Sequence, residues 1–219
     1  MVYILSIETA TKNCSVGLSL NGITVLCKEI AEDGYSHAEK LHVFIEEILK
    51  EAQIGFSDLK AIAVSQGPGS YTGLRIGVSA AKGLCYSLDI PLIAVDTLQS
   101  LAMQLKIENG IIIPMIDARR MECYTAFFDR NYLVKRTVES EIITEISYQN
   151  IEEEIHVIGD GAPKCKSVLK DAKFIFHDNI IYPSANEMGT IAFDKYQKSD
   201  TVDVAYFEPF YLKDFILIK

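Results

Sequence analysis

Apolar and polar positions fall in blocks along the chain, and the repeat within each block separates strands from helices. Val2 to Ile7 is an apolar run that stops at Glu8-Thr9-Ala10-Thr11. Cys14 to Leu20 and Ile23 to Ile30 flank Asn21-Gly22, a dipeptide suited to a two-residue hairpin, so three strands are expected in succession. From Ser36 the period becomes helical. Ser36-His37-Ala38-Glu39 has the form of a capping box, and Leu41, Phe44, Ile45, Ile48, Leu49 and Ala52 share one face opposite acids and lysines. Ala61 to Ser65 reads as a buried strand, Leu74 to Leu88 as a helix, Pro91 to Val95 as a strand and Thr97 to Leu105 as a helix.

The second half starts again with an apolar strand, Ile111 to Ile116, which ends at Asp117-Ala118-Arg119-Arg120. Glu122 to Phe128 and Tyr132 to Val138 supply two more strands, and the polar stretch to Glu154 is expected to hold a short helix. His156 to Ile158 runs into Gly159-Asp160-Gly161-Ala162, Lys164 to Leu169 is helical by pattern, and Lys173 to Phe176 is a strand. Ser184 to Tyr196 predicts a helix with Ser184 as its cap and Glu187 at the box position. The tail, Tyr206 to Ile218, is aromatic and apolar and is expected to pack back onto the body.

With one constant offset the halves overlay: Ile7-Glu8-Thr9 on Ile116-Asp117-Ala118, Cys14 on Cys123, Leu18 on Phe127. Two β-rich halves can also match by chance. Read as a duplication, a three-strand meander followed by α/β units is the plan of the actin, sugar-kinase and Hsp70-like folds. The expectation is an α/β, actin-like (ASKHA, ribonuclease-H-like, duplicated) protein with lobes at 1–105 and 106–219.

The most distinctive stretch is Gly67-Pro68-Gly69-Ser70-Tyr71-Thr72-Gly73-Leu74-Arg75-Ile76-Gly77, which lies between a strand and a helix. Glycines permit positive φ and close backbone approach, and a loop opening a helix points N–H groups outward, which suits a phosphate or carboxylate. The same loop serves equally as a tight turn that packs the helix on the sheet. It lacks the Lys-Ser/Thr of a Walker loop and does not follow the dinucleotide pattern.

Composition narrows the partners. Hydrophobic residues make up 49% of 219, enough for a substantial core, and the net charge of −9 is wrong for a protein that grips nucleic acid alone. No apolar run is long enough to span a bilayer, and no basic region precedes the first one, so a cytoplasmic protein without membrane association is expected. The five cysteines form no C-x-x-C and mostly sit in apolar runs, as reduced core residues would.

Ile7-Glu8-Thr9-Ala10, Ser36-His37-Ala38-Glu39, the glycine stretch with its Tyr-Thr-Gly-Leu-Arg continuation, Gly83 and Val95-Asp96-Thr97-Leu98 together resemble the TsaB (YeaZ) family. Gly159-Asp160-Gly161 and Glu208-Pro209-Phe210-Tyr211-Leu212 extend the resemblance into the second half and tail. It implies a non-catalytic partner of TsaD in making threonylcarbamoyladenosine at position 37 of transfer RNAs that read codons starting with A. It also implies direct binding to TsaD, contact with the ATPase TsaE through that pair, and transfer RNA met only within the complex. First-lobe helices would form the interface and could also serve a homodimer. The family often carries peptidase-like labels through its catalytic relative.

The residues argue against catalysis. The catalytic relative carries two histidines spaced i, i+4 after the equivalent of Val95, whereas Asp96-Thr97-Leu98-Gln99-Ser100-Leu101 has none. His37 and His42 lie about 140° apart on a helix, and His156 and His177 have no acid or cysteine at ligand spacing. No Gly-x-Ser-x-Gly elbow surrounds Ser70. No metal site, catalytic residue or cofactor of its own is expected, with ATP or ADP confined to a complex interface.

The rival reading is a stand-alone actin-like ATPase or small-molecule kinase. Glu8 and Asp117 end the two equivalent strands, where carboxylates could order a hydrated Mg²⁺. Glu8-Thr9-Ala10 lacks the turn glycine, however, and Arg119 and Arg120 replace the expected small residues, filling the site or clamping an anion. Glu8 and Asp117 could instead cap backbone N–H groups at a strand turn. Weak anion or nucleotide contacts are therefore assigned to Glu8, Thr9, Gly67, Gly69, Ser70, Asp117, Arg119 and Arg120. Partner binding is assigned to Ile76, Ala80, Gly83 and Ser87, the far face of the helix after the glycine loop.

Overall fold

A computed structural model describes residues 1–32 and 37–212. The proposed capping residue Ser36 and the tail beyond Leu212 lie outside the described residues. The chain divides into two compact units, residues 1–100 with 183 onward, and Leu101–Tyr182.

In the first unit, β1 (Tyr3–Glu8), β2 (Asn13–Leu20) and β3 (Ile23–Ala31) form the expected meander. Its second hairpin turns at Asn21 (φ 50°) and Gly22 (φ 88°), the left-handed pair a tight two-residue hairpin demands. Then come α1 (His37–Ala52), β4 (Leu59–Gly67), α2 (Tyr71–Leu88) and β5 (Leu92–Asp96). The sheet order is β3-β2-β1-β4-β5, with β4 and β5 parallel to β1. Strand alternation puts Leu5, Ile7, Val16, Leu18, Ile62 and Val64 on one face, where they meet Leu41, Ile45 and Ile48 of α1 and Val78, Ala81 and Cys85 of α2. That matches both predicted helical stripes.

The other sheet face is built for close approach. Ser15, Gly17 and Ser19 of β2 point there, and a Cβ on Gly17 would lie 2.7 Å from the Ala185 carbonyl oxygen. Residues 183 onward dock on this face through α5 (Met188–Gln197). A Cβ on Gly189 would lie 2.6 Å from Thr24 Oγ1. Thr24 Oγ1 donates to Asn186 O at 2.6 Å and Thr190 Oγ1 to Gly22 O at 3.1 Å. The expected boundary at 106–219 is therefore corrected: the last helix belongs with the first unit. Its start also differs from expectation. The Ser184 hydroxyl donates to Glu29 at 2.6 Å and accepts from Asn186 N, and the helix begins four residues later with Glu187 making no side-chain cap.

The second unit repeats the plan. β6 (Ile111–Asp117), β7 (Glu122–Phe128), β8 (Val134–Ile142), β9 (Ile155–Ile158) and β10 (Phe174–Phe176) are ordered β10-β9-β6-β7-β8. Read from the meander edge, this is the order of the first sheet. Ile113, Met115, Cys123, Phe127, Ile155 and Val157 fill its core with Cys165 and Leu169. Two helices shrink. Thr97 to Leu105 yields α3 (Thr97–Ala102), and Lys164 to Leu169 yields the single turn α4 (Ala162–Cys165). The polar stretch before Glu154 forms turns, not a helix.

Candidate functional site

Gly67 closes β4 with φ +109°, and its N–H donates to Thr97 Oγ1 at 3.1 Å. The next residues lie directly on the segment that leaves β1. Ser70 N donates to Ala10 O at 2.6 Å, and Thr9 Oγ1 donates to Gly73 O at 2.8 Å. A Cβ on Gly69 would stand 2.3 Å from Ala10 O, on Gly73 2.1 Å from Thr9 O, and on Gly77 2.2 Å from Thr9 Oγ1. Gly73 and Gly77, spaced four apart in α2, thus share a helix face that presses onto Thr9, and Gly69 in the loop before it presses onto Ala10. Ser70 Oγ caps α2 by accepting from Gly73 N at 3.3 Å. The Gly67 and Ser70 N–H groups are therefore already engaged within the chain. Thr9, Gly67, Gly69 and Ser70 thus all take part in packing the loop and α2 onto neighbouring segments.

Glu8 is fully buried. Its Oε1 accepts from Ala10 N at 2.6 Å and Ser65 Oγ at 2.9 Å, while Oε2 has no partner. Burial raises its pKa from 4.5 to about 7, against the opposing pull of these hydrogen bonds. A carboxyl enclosed in this way caps backbone and is not displayed to a hydrated cation.

Asp117 is exposed by comparison. Its carboxylate accepts from Arg119 N at 2.8 Å and pairs with Lys164, while its own N–H donates to Asp160 Oδ1 at 2.9 Å. Burial pushes Asp160 up to about 6. Glu8 faces Ser15 across its hairpin whereas Asp117 faces Cys123, so the second hairpin tip is one residue shorter. The tighter tip forces Arg119 (φ 74°) and Arg120 (φ 50°) into the left-handed region, at a cost of about 1 kcal/mol each. Both are exposed.

The far face of α2 borders an open groove of about 730 Å³ between α1 and α2. Ala38 and His42 line it from α1, and Ile76, Ala80, Gly83 and Leu84 from α2. A Cβ on Gly83 would meet nothing within 4 Å. Ser87, the fourth residue assigned to this face, is exposed with its hydroxyl turned back to Leu84 O at 3.1 Å, outside the groove lining. His37 does not face the groove; it is buried, with Nε2 2.8 Å from Thr11 O.

Sequence reasoning missed the groove's other end. Arg75 stacks its guanidinium 4.0 Å above the Tyr71 ring and donates from Nε to Tyr211 Oη at 3.3 Å. Tyr71 and Tyr211 lie 4.9 Å apart by ring centroid. The tail reaches that point along α2, held by Lys82 Nζ to Ala205 O and Phe207 O and by Phe210 N to Gln66 O. The motif containing Tyr71 and Arg75 was visible, but its partner lies 136 residues on. Sequence spacing likewise hid the meeting of His156 Nδ1 and His177 Nε2 at 3.0 Å. Among the described residues, no group of three or more His, Cys, Asp or Glu side chains is placed to hold a metal.

The family model described as "TsaD: tRNA N6-adenosine threonylcarbamoyltransferase" matches residues 29–213. A solved YeaZ structure from Pseudomonas aeruginosa superposes with a TM-score of 0.84 at 24% identity, over 97% of this chain and all of that one. With the repeated sheet order, this gives the chain the YeaZ fold, an α/β architecture in which one five-stranded plan occurs twice. The tRNA threonylcarbamoyladenosine biosynthesis protein TsaB of Escherichia coli is 30% identical over 99% of this chain and 96% of its own length; that of Bacillus subtilis is 32% identical over 87% and 78%. The chain belongs to the TsaB (YeaZ) family.

Proposed function

We propose that this chain is a non-catalytic subunit of the complex that adds a threonylcarbamoyl group to adenosine 37 of transfer RNAs reading codons that start with A. It binds TsaD through the α1/α2 groove and meets TsaE through that pair. The single observation behind this reading is the groove-lining face of half-buried Ile76 and Ala80 and exposed Gly83, in a helix whose opposite face is packed through Leu74, Val78, Ala81 and Cys85. A helix that met only water would carry long polar side chains here, whereas small residues let a second helix approach closely. The chemistry belongs to TsaD, and the chain works in the cytoplasm. A second copy can use the same face. A stand-alone ATPase or kinase finds less support, because Glu8 is enclosed and the glycine loop is filled by Thr9 and Ala10.

The test is co-purification of tagged chain with untagged TsaD from the same organism, alongside Mg-ATP turnover by the chain alone. Retention of TsaD without turnover supports the reading; turnover without retention overturns it. Dialysed chain should hold no stoichiometric Zn²⁺ or Fe²⁺ by elemental analysis, and one tightly held metal would contradict a non-catalytic subunit.

Arg119 and Arg120 serve the assembled complex, as contacts to nucleotide or transfer RNA. Two strained, exposed cations in a chain of net −9 have no packing role to justify the strain. Replacing both with Gly should raise the melting temperature by a few degrees and lower the activity of the reconstituted synthase. Unchanged activity would reduce them to solvated side chains.

A further inference from the structure

We propose that Arg75 is a carboxylate receptor at the end of the α1/α2 groove, and that the groove's occupant is a helix of the partner enzyme carrying an aspartate or glutamate at that point. The proposal rests on the reading that TsaD docks in this groove, and adds what the docking helix must carry.

The guanidinium is fixed on two sides. Tyr71 covers one face at 4.0 Å, and Tyr211 takes the Nε hydrogen at 3.3 Å. An arginine held like this has already lost much of its side-chain freedom, so less is lost when it meets a ligand. Asp and Glu outnumber Lys and Arg by 30 to 21 in this chain, yet Arg75 makes no ion pair among the described residues, although Glu208 attracts it. Among the described residues, no aspartate or glutamate lines the groove. A pre-oriented cation thus stands beside a groove floor of Ile76, Ala80 and Gly83, where Gly83 leaves room for a second helix. The complementary surface is an apolar helix face with one carboxylate, which the guanidinium fork can meet with two parallel hydrogen bonds.

The same charge distribution ranks the occupants. In a two-fold pairing each groove meets its own copy. A second copy therefore brings another Arg75 and a lining that, among the described residues, carries no acid, so self-association is the weaker use of this surface.

The experiment measures binding of the full chain to purified TsaD from the same organism by titration calorimetry, with self-association followed by sedimentation. Wild-type affinity should fall as salt rises, and Arg75→Ala should flatten that dependence. Arg75→Glu should weaken binding about 100-fold or more, and Arg75→Lys about tenfold, because an ammonium lacks the planar fork. Tyr211→Phe should cost a few-fold by releasing the Nε edge. Replacing acids on the TsaD binding helix one at a time with lysine should find one change that restores binding to Arg75→Glu. Self-association should not be weakened by Arg75→Ala. If Arg75→Glu fails to fold, Arg75→Lys and Tyr211→Phe carry the test. Binding by the wild type that is indifferent to Arg75 overturns this proposal and leaves the docking reading standing; no binding by the wild type overturns both. A homodimer that loses as much as the heterocomplex would mean that the carboxylate comes from a second copy, which also overturns it.

Discussion

Gly83→Arg should abolish retention of TsaD while leaving the melting temperature within a few degrees of wild type. Gly73→Ala, ten residues earlier in the same helix, should do the reverse. At Gly83 a Cβ points into open space at the groove floor. Arginine there gains about 1 kcal/mol of helix propensity over glycine and blocks close approach of a second helix. At Gly73 the same Cβ would sit 2.1 Å from the Thr9 carbonyl oxygen, a backbone atom that cannot swing aside. Overpacking of this kind costs about 1–3 kcal/mol or more, and the displaced helix also loses the Thr9 hydroxyl bond to Gly73 O. A chain of this size should then melt roughly 5–10 °C lower. Circular dichroism melts and pull-down on the two variants separate a docking glycine from a packing glycine. A Gly83→Arg protein that unfolds would place the far face of α2 in the internal core.

Glu8→Gln should remove much of the pH dependence of stability between pH 5 and 8. The folded chain holds the Glu8 proton up to about pH 7, whereas the unfolded chain releases it near 4.5. Between those values the folded state binds more protons, so stability falls as pH rises through the window and is lowest above 7. The gap corresponds to roughly 3 kcal/mol, carried by a carboxyl whose Oε2 has no partner. Asp96 and Asp160 are raised by burial as well, so wild type keeps further pH dependence of the same sign. The informative quantity is the difference between variant and wild type at pH 8 minus that at pH 5, expected at about 2–3 kcal/mol in favour of glutamine. Urea melts at the two pH values measure it, and equal slopes for the two proteins would show that Glu8 does not titrate in this window.

These predictions depend on two classes of information that the sequence carries unequally. Local pattern and the internal repeat are legible: the Asn21-Gly22 hairpin, the stripes of α1 and α2, and the offset that lays Glu8 on Asp117 all appear as expected. Choices among local alternatives are less so. The glycine stretch reads equally as an anion loop or a packing turn, and its close packing on Thr9 and Ala10 shows only once the fold brings them beneath it. Long-range returns leave the faintest trace. Ser15, Gly17 and Ser19 look like weak strand positions until Ala185 and α5 are found resting on them. Ser184 has the right chemistry for a helix cap, but Glu29, far away in sequence, claims its hydroxyl. Arg75 gives no hint of Tyr211. In each case the deciding contact lies more than a hundred residues away, beyond the reach of period or spacing.

The return of α5 to the first sheet has a consequence for how the protein is made. Ribosomes deliver about 5–20 residues per second, so the face formed by Ser15, Gly17 and Ser19 stays without its cover for roughly 5–20 s while residues 101–197 are still being synthesised. The intervening unit is one continuous segment and has every strand of its sheet before α5 exists. The second unit in the chain is therefore the first that can finish folding, and the glycine-motif unit, which starts first, closes last.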